Sequence, residues 1–128
     1  MKMTDHELIK LAEKAAEKAY CRYSKFSVGA ALLCSDGTVF TGCNIENSSY
    51  SLTNCAERTA IFKAVSEGFT EFSAIAIVGG ADGDLARPCC PCGACLQVMS
   101  EFCSGEFRII LTDGEHKLDD FLPKRFEL

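Results

Sequence analysis

Apolar and polar residues follow one another along this chain in three stretches of helical period and four strand-like ones. From Thr4 to Tyr20, Leu8, Leu11, Ala12, Ala15, Ala16 and Ala19 recur at helical spacing, and Thr4 with Glu7 fits a reciprocal capping box. Ser27 to Cys34 (SVGAALLC) reads as a buried strand, Ser35-Asp36-Gly37 as a hairpin turn, and Thr38 to Gly42 as the returning strand. A polar stretch, Asn44 to Asn54, leads into a second helix, Cys55 to Glu67, with Gly68 as its stop. Phe72 to Val78 is almost wholly apolar, as a central strand covered on both faces would be. Gly79 to Pro91 reads as a loop rich in Gly and Pro, Cys92 to Cys103 as a third helix ending near Gly105, and Phe107 to Thr112 as a strand. Asp113-Gly114 then turns the chain toward a short C-terminal segment. The order predicts an α/β fold: an opening helix and a β-hairpin, then helix-strand-helix-strand, with a mixed central β-sheet between helices in three αβα layers. Periodicity leaves the strand order open.

No linker, charge block or repeat divides the 128 residues, so a single domain over 1–128 is expected. Apolar residues make up 48% and charged residues 24%, which is globular composition rather than that of a disordered chain. Thirteen basic against 18 acidic residues leave a net charge of −5. An anionic surface repels phosphates, which argues against a nucleic-acid partner and for a small, roughly neutral one. The opening MKMTDHELIK carries charge where a secretory segment needs an apolar run, and no apolar run reaches the length of a membrane span. The expected location is therefore the cytoplasm, where thiols stay reduced. Nine cysteines there read as metal ligands, catalytic groups or small core residues, with Cys21, Cys34, Cys43 and Cys103 in the last class.

The informative chemistry lies in Cys55-Ala56-Glu57 and in Pro91-Cys92-Gly93-Ala94-Cys95. Cys92 and Cys95 stand three apart at a helix start, so both thiols project to one side and can share a metal. Cys55 opens the other helix, where unpaired N–H groups and the positive dipole end favour a thiolate. Two facing helix starts would thus supply three thiolates and leave the fourth zinc position open, the arrangement of a catalytic site. Zinc brings the pKa of a bound water near neutrality. Glu57, in the same first turn as Cys55, is placed to take a proton and pass it on. Arg58 can hydrogen-bond thiolate sulfur and offset the charge of three thiolates. Each residue alone has a plainer reading. A lone C-x-x-C also serves zinc ribbons and thiol oxidoreductases. Glu57 could cap the helix with Asn54, and Arg58 could be a surface ion-pair partner. Asn44 and Glu46 could be turn residues, and Phe26 and Phe126 core aromatics. Cys89 forms a second C-x-x-C with Cys92, but Pro91 suits a helix entry just before Cys92 and favours the pair Cys92 and Cys95. His6 and His116 both read as solvated, which leaves no histidine for a nucleophilic triad.

Taken together, the chain resembles the cytidine deaminase family, in particular its small homotetrameric zinc-dependent type. YSKFSVGAALL (Tyr23 to Leu33), GCNIENSSY (Gly42 to Tyr50), NCAERTAIFKAVSEG (Asn54 to Gly68) and PCGACLQVMSEF (Pro91 to Phe102) carry the resemblance, in order. It implies one zinc per subunit on Cys55, Cys92 and Cys95, with Glu57 as proton shuttle. Asn44 and Glu46 would bond the ribose hydroxyls, Phe26 would pack beside the nucleoside, and the Ala56 N–H would contact the pyrimidine carbonyl. Phe126 would reach a neighbouring subunit's site and stack on the base, making a homotetramer with shared sites. The implied reaction is hydrolytic removal of ammonia from cytidine or deoxycytidine, by attack of zinc-activated water at C4 while Glu57 protonates N3. Two positions depart from the pattern: Arg22, where relatives often have Pro, and Leu96, where many have Arg. Three rival readings have their own requirements. A deaminase of an aminopyrimidine antibiotic nucleoside would differ in substrate. A structural-zinc binding module would need a fourth ligand such as Cys89 or Cys90. A thiol–disulfide exchanger on Cys92 and Cys95 would leave Cys55 and Glu57 without a role.

Overall fold

Thr4 caps the first helix, α1 (Asp5–Ala16), in the computed structural model, which describes residues 3–128. Met1 and Lys2, the start of the charged N-terminus, lie outside the described residues. The capping box is present: Thr4 Oγ1 accepts from the Glu7 N–H at 3.1 Å, and Glu7 Oε1 accepts from the Thr4 N–H at 2.8 Å. The helix stops at Ala16, short of the expected Tyr20. Tyr20 is committed elsewhere, donating its N–H to Asn44 O at 2.9 Å and accepting from Glu46 N at 2.8 Å. Tertiary pairing here overrides helical period and ties the end of α1 to a loop that carries two candidate binding residues.

The next two strands, β1 (Phe26–Cys34) and β2 (Val39–Cys43), form the predicted hairpin, with Gly37 at φ +97° supplying the turn that a side chain would strain. Then come α2 (Ala56–Ser66), β3 (Phe72–Ala81), α3 (Gly93–Phe102), β4 (Arg108–Leu111), β5 (Gly114–Lys117) and the short α4 (Leu118–Phe121). The five strands lie in the order β2-β1-β3-β4-β5. Only β3 and β4 run parallel, so the sheet is mixed, as expected. A short 3₁₀ turn, Tyr50–Leu52, interrupts the polar stretch.

Alternate strand residues face opposite layers. Ala31, Ala74, Ala76, Val78 and Ile110 pack with Leu8, Ala12 and Ala16 of α1. Ala30, Leu32, Ile75, Ile77, Ile109 and Leu111 pack with Ala60, Ile61 and Ala64 of α2 and with Cys95 and Met99 of α3. Three layers result. Two glycines set the close approach of helix to sheet: a Cβ on Gly29 would lie 2.0 Å from Ala12 O, and one on Gly42 would lie 2.5 Å from Ala60 N.

Two expectations are corrected. Gly79 and Gly80, read as the start of a loop, continue β3 opposite Val28 and Ser27. They are glycine because Cys89 Sγ and Asp84 O stand 2.8 and 1.6 Å from where their Cβ atoms would be. The C-terminal segment is structured: β5 pairs with β4, and α4 buries Leu118. His116 in β5 is therefore half-buried rather than solvated, its Nε2 2.8 Å from Asp113 Oδ1. Among the described residues, no helix is long and apolar enough to cross a membrane.

Candidate active site

Cys55 and Cys92 occupy the same position on two helices. Each is the N-cap residue, of α2 and of α3, in extended backbone (φ −75°, ψ 155° and φ −77°, ψ 166°), and neither uses its side chain to cap. A thiol at an N-cap points out beside N–H groups that have no intrahelical partner. Pro91 thus precedes the cap rather than occupying the first helical position, and it is buried. Cys95 follows within the first turn of α3 and is fully buried. The sulfurs of Cys55, Cys92 and Cys95 all lie within 4.8 Å of one another. Cys55 to Cys92 is 3.7 Å and Cys92 to Cys95 is 3.6 Å. A tetrahedral zinc with bonds of about 2.3 Å asks for sulfurs about 3.8 Å apart, so the donor set and its spacing both fit that ion. Cys89 and Cys90 are not part of the group.

Arg58 Nη2 donates to Cys55 Sγ at 3.2 Å, the contact expected of it. The neighbouring Cys95 thiol and this guanidinium lower the pKa of Cys55, and the resulting thiolate pushes that of Cys95 up. Among the described residues, the buried Arg58 Nε has no hydrogen-bond partner.

Glu57 is 4% exposed. Its plain alternative, a cap shared with Asn54, does not occur, because Asn54 Nδ2 donates to Thr59 Oγ1 at 3.2 Å. Burial, reinforced by the Cys55 thiolate, pushes Glu57 up to about 7. A carboxyl at that value can both accept and give up a proton at neutral pH.

One cleft of about 370 Å³ gathers Phe26, Asn44, Glu46, Cys55, Glu57 and Cys92. Asn44 is buried and holds the start of β1, accepting from Val28 N at 2.9 Å and donating to Phe26 O at 2.8 Å. Glu46, also buried, accepts from the backbone of Tyr23 (3.0 Å) and Ser24 (3.1 Å) and from the Ser24 hydroxyl. The Ser24 hydroxyl bond leads the effects that hold its carboxyl below the ordinary range. These two are more than turn residues, since each fastens the loop after β2 to the entry of β1. Phe26 is 40% exposed at the rim, and Ala56 is buried at the first position of α2.

Phe126 is not brought to this cleft. It is 68% exposed, and its carbonyl accepts from Gln97 Nε2 at 3.4 Å on the outside of α3. Ser24, Val28, Tyr50 and Thr53 line the cleft without having been singled out, and Cys89 and Cys90, weighed above as zinc ligands, line it too. Ser24 and Tyr50 fall inside the quoted motifs, but nothing in their spacing assigns them to the wall. Cys89 packs against Gly79, and burial pushes its thiol up to about 11. Of the two departures, Arg22 donates to the Tyr20 hydroxyl at 3.3 Å with its guanidinium 5.7 Å from the Tyr23 ring, and Leu96 packs into the core.

Residues 2–111 match the family model described as the cytidine and deoxycytidylate deaminase zinc-binding region. The chain belongs to that family. It is 57% identical over 118 residues to a cytidine deaminase of Sporosarcina psychrophila, covering 92% of this chain and 84% of the relative. A cytidine deaminase of Halalkalibacterium halodurans is 58% identical over 124 residues, covering 93% of this chain and 91% of the relative. In three dimensions the chain is similar to the crystal structure of a cytidine deaminase from Burkholderia pseudomallei, with a TM-score of 0.88 and 50% identity over 97% of this chain and 100% of that one. The Burkholderia enzyme and this chain thus share one fold.

Proposed function

We propose that the chain is a zinc-dependent cytidine deaminase, converting cytidine and deoxycytidine to uridine and deoxyuridine with release of ammonia. The observation that carries this is the convergence of three thiols from two helix starts beside a buried carboxyl, in a family of zinc-binding deaminases. Cys55, Cys92 and Cys95 hold the metal. When bound there, zinc supplies the Lewis acidity that makes water nucleophilic at neutral pH.

The chain's own residues do the rest. Glu57, kept dry and poised near neutrality, takes a proton from the attacking water and delivers it to N3 of the ring, then takes the second from the hydroxyl left on C4 and passes it to the leaving amine. Asn44 and Glu46 receive the ribose hydroxyls; their existing bonds to the start of β1 fix their positions before substrate arrives. Phe26 packs beside the nucleoside, and the Ala56 N–H, free of any intrahelical partner, receives the pyrimidine carbonyl. Arg58 neutralises part of the thiolate charge.

The chain forms a single domain over residues 1–128 and assembles as a homotetramer, with Phe126 of each chain entering a neighbour's site. Its exposure far from its own cleft supports that role. Tyr20, Tyr23, Ile45, Tyr50, Leu52 and Phe62 are further large exposed apolar residues, suited to contact between subunits. A cytoplasmic location accords with nine free cysteines. The acidic balance favours a free nucleoside over a polynucleotide. A structural-zinc module and a thiol exchanger are both less economical: three donors converge rather than four, and Cys55 with Arg58 belongs to the group.

Incubating the purified protein with cytidine and following the ultraviolet change to uridine tests the proposal. Turnover that stops with a zinc chelator and returns with zinc is expected. A zinc-loaded protein inert toward cytidine and deoxycytidine would overturn it.

A further inference from the structure

A second cleft, of about 260 Å³, opens at the β2 edge of the sheet, bordered by the end of α1 from one face and by α2 from the other. It shares no lining residue with the cleft that holds Glu57. Lys14 and Lys18 stand on one side and Lys63 on the other, with the hydroxyl residues Thr41 and Thr59 between them, apolar Leu11 in the wall, and no carboxylate. Among the described residues none of the three lysines pairs with an acid, although Lys10 and Lys117 do. This occurs on a chain whose acids outnumber its bases by 18 to 13.

Two of the three lysines have a local explanation. Lys14 and Lys63 lie in the last turns of their helices, where cations complement the dipole. Lys63 also donates to the Thr41 carbonyl and so blunts an edge strand. Neither reason requires that two helices aim their lysines into one hollow, or that acids be absent from it. Three ammonium groups around so small a space repel one another, and an anion of several charges relieves that repulsion. Phosphate oxygens can also accept from the Thr41 hydroxyl, whereas Thr59 Oγ1 already donates to Cys55 O at 3.1 Å, and a chain of phosphates spans donors on opposite walls.

We propose that this cleft binds a polyphosphate group, as carried by inorganic tripolyphosphate or by a nucleoside triphosphate. The inference is independent of the deaminase reading, since it draws on no residue of that site.

Calorimetric titration of the zinc-loaded full-length protein with inorganic tripolyphosphate at about 0.05 M salt tests it, with saturating uridine present and bound zinc measured before and after. One saturable site per chain is expected, weakening several-fold at about 0.2 M salt as screening increases. Lys14→Gln/Lys18→Gln/Lys63→Gln should weaken binding at least tenfold, whereas Lys10→Gln/Lys124→Gln removes charge elsewhere and should leave it within about twofold. If removing Lys63 unfolds the chain, Lys14→Gln/Lys18→Gln alone should still lower the affinity several-fold, because among the described residues neither side chain pairs with an acid. Cytidine triphosphate binding as tightly as tripolyphosphate would assign recognition to the phosphate chain, and tighter binding would add the Leu11 wall as a base contact. No binding to the wild-type protein, or binding undiminished in both lysine variants, would overturn the proposal.

Discussion

Glu57 owes its proposed proton chemistry to where it sits rather than to any bond it makes. A carboxyl on the first turn of a helix ordinarily faces solvent; here α2 starts beneath the cleft and the side chain is dried. Glu57→Gln should keep its zinc, measured per chain, yet lose about 10³-fold or more in turnover. Near-normal turnover would remove Glu57 from the mechanism. The same burial has a thermodynamic sign. In zinc-free protein the folded carboxyl holds its proton up to about 7, while in the unfolded chain it ionises near the ordinary value of 4.5. Between those values the folded state binds more protons, so this group's contribution to stability falls as pH rises, by up to ~1.4 kcal/mol per pH unit. Urea unfolding of both proteins should therefore show wild type losing stability relative to Glu57→Gln from about pH 4.5 to about pH 7, and no further change above. An unchanging difference would mean that the folded carboxyl is ionised throughout. At this scale Cys55, Glu57, Cys92 and Cys95 were legible because each helix start writes its chemistry within four consecutive residues. The exclusion of Cys89 was legible too, because Pro91 marks a helix entry just before Cys92; its packing against Gly79 of β3 was not.

Glycines let α1 and α2 lie directly against the sheet, Gly29 under α1 and Gly42 under α2. Gly29→Ala places a Cβ 2.0 Å from Ala12 O, against helix backbone that cannot rotate away. Denaturant titration should show a loss of about 3 kcal/mol or a failure to fold. A loss under about 0.5 kcal/mol would mean that α1 can slide along β1. Helix starts and the hairpin could be read from caps, turn residues and period. Three boundaries could not, each for a tertiary reason. Tyr20 leaves the helix to pair with the loop at Asn44 and Glu46; Gly79 and Gly80 extend β3 beneath packed neighbours; and the polar GEHK of β5 becomes a strand through its pairing with β4. Strand order depends on such long-range pairings and was invisible to periodicity.

For the whole molecule, assembly is the part that a single chain leaves unbuilt. Sedimentation should give a species of four 13.9 kDa chains, and within that species Phe126→Ala should raise the Michaelis constant for cytidine while removal of Glu127 and Leu128 has little effect. Unchanged kinetics in a confirmed tetramer would argue against a shared site. Everything else rests on three sulfurs holding one metal beside Glu57, and zinc content per chain in single Cys→Ala variants tests that most directly. One zinc in the wild type, in Cys89→Ala and in Cys90→Ala, with loss in Cys55→Ala, Cys92→Ala and Cys95→Ala, is the predicted result. Full occupancy in Cys95→Ala together with loss in Cys89→Ala would contradict it.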